Sequence, residues 1–132
     1  MSTETRIMTK GSRFLSHTAA QWSQGTTFSL HLHWHEALLH LQLEDTEAAL
    51  DLYDQTIGPR ALQDGGSFPL SDASALLMRL HLAGARVEDR ARELAPAWAK
   101  HSEDQTRCDI DSQTCMRCLT MSYNQYSYKY YS

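Results

Sequence analysis

From Phe28 to Ile57 the chain contains neither glycine nor proline, and its aliphatic residues recur there at helical intervals. At first the segment reads as a strand, because Phe28, Leu30, Leu32 and Trp34 alternate with Ser29, His31, His33 and His35. The continuation reverses that reading. Leu30, Trp34, Ala37, Leu38 and Leu41 fall at i, i+4, i+7, i+8 and i+11, which is one face of a helix. A helix over 27–43 is therefore expected. The turn Glu44-Asp45-Thr46 should follow it, with Asp45 or Thr46 capping a second helix.

That second helix, 46–57, would turn Ala49, Leu52, Tyr53 and Ile57 toward its neighbour, and Gly58-Pro59 should end it. A loop with Asp64, Gly65, Gly66 and Pro69 leads to a helix capped by Ser71 or Asp72, in which Ala73, Leu77, Leu80 and Gly84 share a face. A last helix over 87–100 aligns Val87, Ala91, Leu94, Ala95 and Trp98, with Pro96 set to kink it. Upstream, a short helix fits 13–23, capped by Ser12 and carrying Phe14, His17 and Ala20 or Gln21 along one side. The expected fold is all-α, about five helices in antiparallel hairpins.

Composition then sets the boundaries. Residues 1–11 form a polar lead, 12–105 hold nearly all the Leu and Ala, and 106–132 are rich in Cys, Tyr and Ser. Both flanks are expected to be disordered, because neither has the apolar content to build a core. The 42% hydrophobic and 21% charged residues of this 132-residue chain suit one small folded domain. A net charge of −4 gives no attraction to phosphate backbones or anionic lipid, so neither nucleic acid nor membrane is an expected partner. No apolar run reaches the ~20 residues of a membrane span, and the first ten residues lack a secretory apolar stretch. A cytoplasmic location is the expectation, with reduced thiols. Cys108, Cys115 and Cys118 crowd into the tail, an odd set that makes a poor disulfide framework.

The densest chemistry is His31, His33, His35, Glu36 and His40. His31 and His35, at i and i+4, share a helix face and can reach one metal ion. A third ligand would have to come from His81, His101 or Asp104; the alternative is that both histidines simply pack at a helix interface. His35 and His40, five apart beside Glu36, lack the four-residue spacing of the zinc-protease motif. The Cys115–Cys118 pair lacks further ligands at zinc-site spacing and a βαβ context for redox chemistry. No Gly-x-Ser-x-Gly elbow or phosphate-cradling loop is present. The Tyr-rich end holds only Lys129 as a positive charge. Arg86, Arg90 and Arg92 among Glu88, Asp89 and Glu93 read as a solvated face with internal pairs.

The segment Glu47 to Tyr53 resembles the second helix of a tetratricopeptide hairpin, with Trp34, Ala37, Leu38, Ala49, Leu52 and Tyr53 as its packing residues. Glu44 stands where that repeat usually has Gly, and Pro59 comes early. A second copy at the repeat's roughly 34-residue period does not register. A longer resemblance, covering about 13–105, is to the tetratricopeptide repeat protein 38 family. It rests on His31 to Leu38, Glu47 to Asp54, Ser71 to Leu80, then Gly84, Val87, Arg90 and Lys100 to Asp104, in that order. The family's Lys-His-Ser-x-Asp-His segment ends here in Gln105, and the matching stops. The resemblance implies an α-solenoid scaffold without a cofactor, truncated relative to longer members and followed by an unrelated tail. The expected function is non-catalytic binding of a protein or peptide, with self-association through exposed faces. A metal-binding or enzymatic role for the His31/His35 helix and a non-functional fragment are the alternatives.

Overall fold

The computed structural model describes residues 2–22 and 27–100. The tail, its cysteines, His101 and Asp104 lie outside the described residues, as do Ser23 and Gly25. Five helical rods follow one another: α1 (Thr3–Trp22), α2 (Thr27–Gln42), α3 (46–64), α4 (Ser67–Leu82) and α5 (Glu88–Ala99). No strand occurs among the described residues. Helix α2 packs against α1, α3 and α4, while α4 lies on both α2 and α3 and α5 covers α4 and the second half of α3. None of these helices is long and apolar enough to cross a membrane.

Several boundaries differ from the sequence reading, each for a local reason. Helix α1 begins at Thr3 instead of Arg13, because the Ser2 hydroxyl accepts the Thr5 N–H at 3.2 Å and Glu4 sits favourably in the first turn. The polar lead is thus helical, and Phe14, expected on the packed side, is 67% exposed. Helix α1 meets α2 where a Cβ on Gly11 would stand 3.5 Å from Leu39 and where Ser16 reaches Glu36.

Gly58-Pro59 does not end α3. Thr46–Leu52 is α-helical, Tyr53–Ile57 winds as a π-turn, and Gly58–Asp64 resumes the α-helix. The Gly58 N–H reaches Tyr53 O, one residue further back than an α-helix would take it. The wider turn leaves room for Pro59, which has no N–H and would otherwise press on the carbonyl four residues earlier. Gly58 is required by packing, since a Cβ there would lie 2.7 Å from the Tyr53 ring. The rod closes at Gly65, in left-handed conformation at φ 71°.

Helix α4 starts at Ser67, four residues before the expected cap. Pro69 is tolerated in its first turn, where a backbone N–H has no helical partner to lose. Helix α5 runs through Pro96 to Ala99.

The core forms where the hairpins meet. Ile57, Leu70, Leu76, Leu77, Leu80 and Leu94 are fully buried, each worth about 2 kcal/mol of transfer free energy. Ala37, Ala49, Ala73 and Ala91 are equally inaccessible and let the rods approach closely. Ala37, Ala49 and Tyr53 lie inside this core, while Trp34, Leu38 and Leu52 pack against its edge. The buried Trp98 Nε1–H donates to Ser74 Oγ at 2.8 Å, and Ser74 donates in turn to Leu70 O. Arg90, read as part of a solvated face, instead holds Asp54 of α3 through Nε and Nη2, both at 2.6 Å.

Candidate functional site

The five-residue polar cluster of α2 divides between two sides of the helix. His33 and Glu36 point toward α1: His33 Nδ1 lies 3.4 Å from Glu36 Oε2, and Ser16 donates to Oε1 at 3.0 Å. The hydrogen bond from His33 holds the Glu36 carboxyl below its usual value, against the opposing pull of burial. His40 is half-buried further along.

His31 and His35 face α4. His31 Nδ1 is 2.9 Å from Asp72 Oδ2, and His31 Nε2 is 3.1 Å from His35 Nε2. A carboxylate oxygen only accepts, so His31 Nδ1 carries the hydrogen and Nε2 presents a lone pair. Burial pushes the Asp72 carboxyl up, with the His31 hydrogen bond opposing it. Partial burial also lowers His35, with the adjacent His31 imidazole adding to that effect and Asp72 opposing it.

Aromatic rings flank His31. The Trp34 ring stacks on His31 with centroids 5.2 Å apart and planes inclined by 15°, and Phe68 stands 5.5 Å from His31. The Arg79 guanidinium lies over the other part of this wall, 5.5 Å from the Trp34 centroid. Trp34 Nε1 is buried with no acceptor among the described residues, so stacking must hold the indole against the ~1–3 kcal/mol that such a donor forfeits.

Beyond Arg79 the same face opens into a groove of about 320 Å³, lined by Leu38, Leu41 and Gln42 of α2, Arg79 and Leu82 of α4, and Ala83 just after it. Leu82 is 78% exposed at its rim. Both helices contribute at helical intervals: 31, 34/35, 38 and 41/42 from α2, and 68, 72, 79 and 82 from α4.

Sequence reasoning placed His31 and His35 on one face, but missed Asp72, Phe68 and Arg79. Asp72, expected as a helix cap, and Phe68, expected in the loop, both lie within α4. Treating Pro69 as a first-turn residue would have moved the start of α4 back to Ser67 and put Phe68 and Asp72 at i and i+4 on one side. No group of three or more His, Cys, Asp or Glu side chains converges on one point among the described residues, so His81 does not join the pair. No family model and no solved structure matches the chain.

Proposed function

We propose that this chain is a non-catalytic helical-hairpin scaffold that receives a peptide segment of a partner protein along the α2–α4 face. The observation that carries the reading is the continuity of that face, from the aromatic and imidazole end at His31 to the apolar groove at Leu82. Two packed hairpins leave their first helices side by side, the arrangement by which stacked helical repeats offer an extended binding surface. Helices α2 and α4 each have 16 residues, and Thr27 to Ser67 and Gln42 to Leu82 are both steps of 40. That internal repetition supports a solenoid of tetratricopeptide-like hairpins, with a period longer than the usual roughly 34 residues. It also accords with the resemblance to the tetratricopeptide repeat protein 38 family, which names no ligand.

The groove dictates the occupant's chemistry. Leu38, Leu41 and Leu82 take an aliphatic or aromatic side chain, and Arg79, the charged group of the lining, takes an adjacent carboxylate. Selection from a displayed random-peptide library on the untagged chain tests this. Enriched peptides should pair a large apolar residue with Asp or Glu. Arg79→Glu should remove the acidic preference and Leu41→Asp should abolish capture. Absence of enrichment sinks the proposal, as does enrichment that survives both substitutions. Concentration-dependent dimers broken by Leu41→Asp would show instead that a second copy occupies the face.

A further inference from the structure

We infer that His31 and His35 form an open binding site for a divalent transition-metal ion of the zinc or copper class, with Asp72 as its orienting carboxylate. This assignment lies at the His31 end of the same α2–α4 face, but it concerns a different ligand and needs no bound peptide.

The geometry begins with the two Nε2 atoms, which converge to 3.1 Å across one helical turn. An ion bound at the usual ~2.0–2.1 Å from each nitrogen would subtend about 100° at that separation, between square and tetrahedral angles. Imidazole nitrogens suit zinc, copper and nickel, whereas calcium and magnesium require oxygen donors.

Asp72 supplies what a chance histidine pair lacks. Its Oδ2 accepts the Nδ1–H of His31 at 2.9 Å, which fixes the tautomer and leaves the Nε2 lone pair on the His35 side. Trp34 stacks on the same ring and Phe68 stands 5.5 Å from it. His35 is exposed, so the remaining coordination positions open to solvent and are filled by water. In the metal-free chain a single proton occupies the ion's place, with His35 Nε2–H donating to His31 Nε2. Binding then needs only a tautomeric shift of His35, whose hydrogen moves to Nδ1.

The test is a Zn²⁺ titration of the full-length untagged chain with Cys108, Cys115 and Cys118 replaced by serine, which removes competing thiolates. Imidazole resonances in ¹H–¹⁵N spectra report which nitrogens bind, and calorimetry gives the affinity. The expected result is one ion per chain, with the Nε2 signals of His31 and His35 shifting together. His35→Ala should weaken binding at least tenfold, Asp72→Asn about tenfold, and the exposed-site control His81→Ala not at all. His35 is exposed, so its variant keeps the fold, which circular dichroism verifies. Absence of binding overturns the assignment. So does an affinity that either His35→Ala or Asp72→Asn leaves unchanged, because the pair and its carboxylate are then not the site.

Discussion

The turn that closes α2 and the turn that closes α4 have the same hydrogen bonds and opposite chemistry. After α2, Glu44 N–H reaches Leu41 O and Asp45 N–H reaches His40 O, at 3.1 and 2.9 Å. After α4, Gly84 N–H reaches His81 O and Ala85 N–H reaches Leu80 O, at 3.0 and 2.9 Å. Both are Schellman turns with a left-handed residue, Glu44 at φ 61° and Gly84 at φ 92°. Gly84 adopts that conformation freely, whereas Glu44 carries a strain of ~1–2 kcal/mol. The next helix start reverses the advantage. Asp45 Oδ1 accepts the Ala48 N–H at 3.1 Å and caps α3, while Val87, which precedes α5, offers no side-chain cap and is buried instead. The first hairpin therefore has a sound cap and a strained turn, and the second a relaxed turn and an uncapped helix. Local propensity is spent differently in the two, and packing between the rods must supply the remainder in both.

Substitutions at matched positions break or sharpen this comparison, and denaturant midpoints at constant slope measure them. Counted from the first residue of each second helix, Leu94 of α5 corresponds to Leu52 of α3, but only Leu94 is fully buried. Leu94→Ala should cost ~3 kcal/mol and Leu52→Ala clearly less; equal losses would show that the two hairpins share the core evenly. Gly84→Glu, which copies the first turn into the second, should destabilise by ~1.5 kcal/mol. Were it neutral, the left-handed position would not be setting the energy of either turn. Asp45→Ala should lose ~1 kcal/mol through the missing cap, and a change within error would mean that α3 is held by packing alone. The smallest effect belongs to Glu44→Gly. Relief of strain should exceed the added freedom of the unfolded chain, leaving a gain of ~0.5 kcal/mol, and a net loss would refute the strain argument.

Most of the helical content was legible because Leu and Ala mark it at intervals of three and four. Buried positions such as Ala37, Ala49, Leu77 and Trp98 follow from that pattern. What escaped was punctuation. Gly58-Pro59 reads as a stop unless a π-turn is allowed, Pro69 reads as loop unless it lies in a first turn, and Ser2 is an inconspicuous cap in a polar run. The 40-residue spacing of α2 and α4 escaped for a related reason. A search at 34 residues falls six short of it, because α3 continues to Asp64. In the candidate site, the i, i+4 spacing of His31 and His35 was visible, but Asp72 is 41 residues away from His31 and no local pattern connects them.

The π-turn of α3 also has a consequence for phase. Its buried side chains Ala49, Tyr53, Ile57 and Ala61 are spaced four apart. In an α-helix of 3.6 residues per turn, each such step overshoots the full circle by about 40°. Over this stretch the seam would drift by roughly a third of a revolution and carry Ala61 away from the rods that Ala49 faces. The slower winding between Tyr53 and Ile57 takes up part of that overshoot. The helix acts as a vernier, resetting its own clock midway so that one straight seam serves two neighbouring hairpins.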